Sequence, residues 1–123
     1  MSVLLICVLG GLGAAARLTV DGAVRRRWAT SFPAGTVAVN VSGSFLAGLL
    51  TGAALAGVLG GPAEAAAVTG FCGGYTTFST AMADTVRLAR DGQALRAALN
   101  AAGTGALTVL AVLAGLAAAA PLG

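Results

Sequence analysis

Apolar residues in this chain fall into four long runs, separated by short polar or glycine-proline breaks. The first run covers about residues 2–24 and ends at Arg25-Arg26-Arg27. The second starts just after Pro33 and covers about residues 34–59. Proline suits a first helical turn, where its missing N–H has no bond to lose. Gly60-Gly61-Pro62 predicts a tight turn. The third run covers about residues 64–86 and opens on Glu64, an acid that suits a helix N-terminus. Residues 87–92 predict a polar loop. The fourth run covers about residues 94–120, and Pro121 ends it. At about 1.5 Å per residue, about 20 helical residues cross a hydrocarbon core about 30 Å thick. Each run is long enough. The pattern predicts an all-α membrane protein with four transmembrane helices in one domain over residues 1–123.

The third run is not an ordinary apolar helix. It contains Gly70-Phe71-Cys72-Gly73-Gly74-Tyr75-Thr76-Thr77-Phe78-Ser79-Thr80. Paired glycines, a tyrosine and several hydroxyls stand where a plain anchor would carry leucine and valine. Irregular backbone at membrane depth is tolerated only when protein buries it or when it lines a polar path. Interrupted membrane helices recur where ions are bound or conducted. The third helix is therefore expected to break near its middle, at a place suited to handling ions.

Composition strengthens the membrane reading. Hydrophobic residues make up 58% of the chain and charged residues 9%, against about 25% charged in a soluble domain. Mean hydropathy is +0.93. So little charge cannot cover a water-facing surface. The 19 glycines favour helices that pack by close backbone approach. Histidine and lysine are absent, and no motif surrounds a nucleophile, so an enzyme is not expected. Cys7 and Cys72 lack metal-ligand spacing and read as small core residues. No basic stretch precedes Val3-Leu4-Leu5-Ile6, so the first run is expected to remain as a helix and not to be cleaved as a signal.

The net charge of +3 reflects seven arginines, and their distribution is uneven. Arg25, Arg26 and Arg27 follow the first run; Arg87, Arg90 and Arg96 lie in or beside the loop after the third. With four crossings, those two loops share one side of the membrane. The other side holds both termini and the Gly60-Gly61-Pro62 turn, with no lysine or arginine. The positive-inside rule then puts the two arginine-bearing loops in the cytoplasm and both termini outside. The charge reports topology here, not nucleic-acid binding. A multi-pass protein of the inner (plasma) membrane is expected, in contact with lipid.

Several polar residues fall inside the apolar runs. Thr36, Asn40 and Ser44 recur at i, i+4, i+8 and share one helix face. Asn100, Thr104 and Thr108 repeat that spacing in the fourth run. Such groups bind helices together by hydrogen bonds; they also offer N–H and O–H donors that suit an anion. Neither stripe contains a carboxylate, which a cation path would favour. The four acids, Asp21, Glu64, Asp84 and Asp91, read as lying near segment ends or in loops. Arg17 lies in the first run, where a charge needs a partner or water. It either snorkels to the cytoplasmic interface or makes an electropositive vestibule, and Asp21 stands one helical turn on. Phe78 is either a lipid or core contact or a ring whose weakly positive edge faces an anion.

Taken in order, the motifs Gly10-Gly11-x-Gly13-Ala14-x-x-Arg17, Gly35-Thr36-x-x-x-Asn40-x-x-Gly43-x-Phe45 and the glycine-threonine stretch from Gly70 to Thr80 span nearly the whole chain. With the polar track of the fourth run, they closely resemble the bacterial fluoride channels called Fluc or CrcB. The resemblance implies an antiparallel dimer of four-helix subunits with two pores. It implies passive, selective export of fluoride that entered the cell as hydrogen fluoride, and so fluoride resistance. On that likeness Thr36, Asn40, Asn100 and Thr104 line the fluoride path, Phe78 turns a ring edge to the ion, and Arg17 lies near a vestibule. Gly73 and Thr76 match positions whose backbone carbonyls hold a structural sodium ion.

Two positions depart from the family pattern. The family reads Thr-Thr-Phe-Ser-Thr-Phe where this chain ends the motif with Ala81, and Arg96 replaces a residue that is often polar or aromatic. The one-sided arginines also argue against insertion in both orientations, which an antiparallel homodimer requires. Family members also occur as paired paralogues of opposite fixed orientation. The expectation is a channel subunit that acts as a homodimer or as one half of a heterodimer. Two rival readings are a small multidrug-type transporter and a non-conducting structural subunit of a channel dimer. The first needs a membrane-embedded carboxylate in its first helix, where this chain has only Asp21 near the end.

Overall fold

Glycine and alanine supply much of the contact surface of this fold, and most leucines and valines face outward, Val39 and Leu88 being buried. In a computed structural model that describes residues 2–28 and 32–122, helix α1 spans Ser2–Arg27 and α2 spans Ala34–Leu55. A short helix α3, Gly61–Ala65, runs into a π-helical stretch, Ala66–Cys72, and then α4, Gly73–Tyr75. Helix α5 spans Phe78–Arg90 and α6 spans Ala94–Ala119. No strand occurs among the described residues. The architecture is four helical segments, the third of them bent. Among the described residues, three helices are long and apolar enough to cross a membrane: Val3–Arg27, Ala34–Leu55 and Ala94–Ala119. The third segment is delivered in pieces.

Packing follows the small residues. Helix α2 makes its most extensive contact with α6; α1 covers the third segment, and α5 lies on α6. A side chain at Gly48 would run into the Val112 carbonyl, and one at Gly115 into the Phe45 carbonyl. The α2–α6 backbones are therefore in direct contact. Gly13 meets the Phe71 carbonyl and Gly74 meets the Gly10 carbonyl in the same way, which joins α1 to the third segment. Lipid tails are as apolar as leucine, so helices in a bilayer associate through such close approach and not through hydrophobic burial. Leu4, Leu18, Leu55, Leu95 and Val109 remain exposed, as a lipid-facing surface requires. Trp28 follows α1, with the Arg27 guanidinium 5.8 Å from its ring centroid, a pairing suited to the membrane interface.

Helix ends have local causes. Helix α2 stops at Leu55, short of the end of the hydrophobic run near residue 59. Gly57 takes φ +79, and the N–H groups of Gly57 and Val58 turn back to Ala54 and Ala53 at 3.0 and 2.9 Å. That is a Schellman closure, which glycine allows without steric cost. Gly92, at φ +77, closes α5 in the same way. Three side chains of α5 (Ala81, Asp84 and Leu88) are buried on one face. Pattern alone leaves Asp84 beside the polar loop; the structure buries it to 3% exposure.

Candidate functional site

The helical run through Tyr75 ends because two β-branched residues become extended. Thr76 takes φ −79, ψ 157 and Thr77 takes φ −146, ψ 121. The Thr76 hydroxyl donates to the Cys72 carbonyl at 2.9 Å and closes the turn before it. The Thr77 hydroxyl accepts from the Thr80 N–H at 3.1 Å and caps α5. The Thr77 N–H donates to Asn40 Oδ1 at 2.8 Å. In an unbroken helix, the Thr77 and Thr80 N–H groups would bond to the carbonyls of Gly73 and Thr76. Both donors are engaged elsewhere, so those two carbonyls lose their helical partners.

Beside the bend lies an open cavity of about 310 Å³. Asn40 and Ser44 of α2, Thr104 and Thr108 of α6, and Thr76, Thr77, Phe78 and Ala81 line it. None of its lining residues is acidic. Thr104 Oγ1 is buried with no hydrogen-bond partner, an arrangement that costs free energy unless a ligand or water meets it. The Thr108 hydroxyl already donates to the Gly105 carbonyl at 3.0 Å. Phe78 is 78% exposed in the single chain.

A second, smaller cavity of about 170 Å³ adjoins the same bend. Arg17, Asp21, Thr36, Thr77 and Thr80 are among its lining residues. Arg17 Nε is buried without a hydrogen-bond partner. The one-turn pairing of Arg17 with Asp21 is replaced: Asp21 accepts from Arg25 Nε at 3.0 Å. Asp21 also lies against Gly35, where the first turn of α2 has backbone N–H groups to offer.

The residues singled out by sequence therefore divide. Asn40, Phe78, Thr76 and Thr104 meet at the large cavity. Thr36 and Arg17 line the small one. Thr36 donates its hydroxyl to Asp84 Oδ2 at 2.9 Å, and both residues are 3% exposed. Asp84 Oδ1 is 3.1 Å from Arg87. Asn100 leaves the stripe it shares with Thr104 and turns to α5. Its Nδ2 donates to the Thr85 hydroxyl at 2.8 Å and to the Ala81 carbonyl at 3.4 Å. Gly73 sits exposed on the bend, outside both cavities.

Sequence reasoning missed four participants. Asp84 was detectable, since an acid between Ala81 and Leu88 interrupts an otherwise apolar helix face. Thr85 and the Ser42–Tyr75 pair were not. Tyr75 stacks on Phe71 with centroids 5.9 Å apart, and its hydroxyl is 3.0 Å from that of Ser42. Those contacts depend on how α2 crosses the bend, which no local pattern encodes.

These features define a small multi-pass helical membrane protein with a polar groove in its apolar body. The family model described as CrcB-like protein, Camphor Resistance (CrcB), matches residues 4–116. The chain belongs to that family. It is similar to the fluoride-specific ion channel FluC 1 of Leifsonia xyli subsp. xyli, with 48% identity over 101 residues, 82% of this chain and 74% of the relative. It is 42% identical to the fluoride-specific ion channel FluC 2 of Cutibacterium acnes, over 95% of this chain and 96% of the relative. The FluC of Geobacter sulfurreducens is 41% identical, with 96% of each chain covered.

Proposed function

We propose that this chain is a subunit of a fluoride-specific ion channel that lets fluoride leave the cell passively and so confers fluoride resistance. The observation that carries the reading is the donor-lined, acid-free cavity with the unpartnered Thr104 hydroxyl. Fluoride is small and strongly hydrated. A path for it must replace water with closely spaced N–H and O–H donors, and carboxylates would repel it. Asn40, Ser44 and Thr104 supply those donors at the cavity, whereas the Thr108 hydroxyl is spent on Gly105. The Phe78 ring adds a weakly positive edge with no competing acceptor. Arg17 raises the anion concentration at the neighbouring small cavity. Thr36 and Asn100 serve the path indirectly, because their polar groups are engaged with α5. The family relatives named as fluoride-specific channels support the assignment.

The path is completed by a second subunit inserted antiparallel. Two observations support this: the large cavity is open-sided, and Phe78 is exposed. The break in the third helix then lies at the dimer centre. A structural sodium ion fits there, because Gly73 and Thr76 have carbonyls without helical donors and carbonyl oxygens are hard ligands. The ion would meet two acceptors that lack helical donors and tie the subunits together. The arginine bias supports an orientation of this chain with both termini outside. Its partner is then a paralogue of opposite orientation, and Ala81 leaves one pore without its second phenyl ring.

The test is fluoride efflux from liposomes, read with a fluoride electrode and with chloride as control. Efflux that requires an oppositely oriented paralogue supports the heterodimer. Efflux from this chain alone makes it a homodimer, and no fluoride efflux with either composition overturns the channel assignment.

A further inference from the structure

Asn40 makes two hydrogen bonds to a single residue across 37 positions of sequence. Its Nδ2 donates to the Thr77 carbonyl at 2.8 Å, and its Oδ1 accepts from the Thr77 N–H at 2.8 Å. The side-chain amide thus treats Thr77 as a neighbouring strand would, meeting both of its backbone polar groups. Those groups need partners, because the extended residue has left the helix and an orphaned buried amide is costly. Only one orientation of the Asn40 amide serves both bonds; the flipped one would set donor against donor and acceptor against acceptor. Asn40 is itself 7% exposed, so water cannot readily substitute.

Thr77 lines both cavities, whereas Asn40 lines only the larger. The clamped residue is therefore the shared wall between the Arg17 side and the Thr104 side. We infer that Asn40 is a positioning residue: its amide clamps the Thr77 backbone, holds the bend open as extended chain, and fixes the wall between the two cavities. The clamp uses one Nδ2 hydrogen and leaves the second for the large cavity, in a direction set by the other two bonds. Phe78 follows Thr77 directly, and the Gly73 carbonyl loses its helical donor because the Thr77 N–H is held elsewhere. One side chain thus sets the register of several elements of the path. The effect on ion flux rests on the channel reading; the clamp itself does not.

The full chain in lipid is compared with two variants. Asn40→Ala removes the clamp from the side chain. Replacing the Thr77 backbone N–H with an ester oxygen removes one bond and leaves Asn40 intact. Hydrogen exchange is read at the Thr77 amide, with Val112 of α6 as internal control, and fluoride efflux is read on all three proteins. Asn40→Ala is expected to speed Thr77 exchange at least about 10-fold with Val112 unchanged. The ester is expected to lower efflux at least about threefold, although Asn40 is present. Unchanged Thr77 exchange overturns the clamp, and an ester variant with native efflux overturns its positioning role. A native chain without fluoride efflux, alone or partnered, would instead sink the channel reading, while the exchange arm would still decide the clamp.

Discussion

Replacing Thr104 with valine separates the two jobs a buried hydroxyl can have. Thr104 Oγ1 is buried and makes no hydrogen bond to the protein. Valine keeps the side chain's shape, so no packing is lost, and no protein hydrogen bond breaks. Stability should therefore change by less than about 0.5 kcal/mol, or rise slightly as an unsatisfied polar group leaves. Flux should behave differently. A hydrogen bond to an ionised group contributes about 1.5–3 kcal/mol, and each 1.4 kcal/mol on a barrier is about tenfold in rate. Thr104→Val should slow fluoride efflux roughly 10- to 100-fold. Thr108→Val is the comparison, because that hydroxyl is already committed to Gly105 and should matter less for flux. The assays are electrode-detected efflux from liposomes and denaturant unfolding of the same preparations. Unchanged efflux in Thr104→Val refutes the reasoning. So does a stability loss above about 1 kcal/mol, which would mean that the hydroxyl had a protein partner.

Thr36→Val should show the opposite split. It strips Asp84 Oδ2 of its buried donor and should cost about 2 kcal/mol in unfolding experiments; a cost below about 0.5 kcal/mol would remove the pair from the account. Gly115→Ala drives a methyl into the Phe45 carbonyl and should destabilise by about 1–3 kcal/mol. Gly103→Ala meets nothing within 4 Å and should be neutral or stabilising, so equal costs at the two sites would contradict the α2–α6 packing. For topology, a cysteine introduced at Gly92 in a background lacking Cys7 and Cys72 should be labelled from the cytoplasm. One introduced at Gly60 should be labelled from outside. The reverse pattern would overturn the orientation read from the arginines.

Much of the fold was readable because membrane helices must satisfy their own backbone and must be long. The hydrophobic runs carry both constraints openly, and three of the four appear as continuous apolar helices. The third does not, and its glycines and threonines carry that irregularity openly in the sequence. Side-chain pairing was less legible. Thr36, Asn40 and Ser44 do share a helix face, yet Thr36 faces Asp84 while Asn40 reaches Thr77. A helix face is wide enough to meet two neighbours, and spacing cannot say which neighbour stands where. Asn100 shows the same limit, since its amide found Thr85 and not the cavity. Asp21 and Arg17 were adjacent by spacing, but Arg25 lay equally near on the other side and took the carboxylate.

The central claim is that fluoride, and not another ion, crosses the membrane beside the Thr76–Thr77 bend. Planar-bilayer recording tests it most directly, with the chain and its oppositely oriented partner under a potassium fluoride gradient and then a potassium chloride gradient. The account predicts a current whose reversal potential follows the fluoride gradient and vanishes in chloride. A current that follows potassium or chloride, or no current in fluoride, would contradict it.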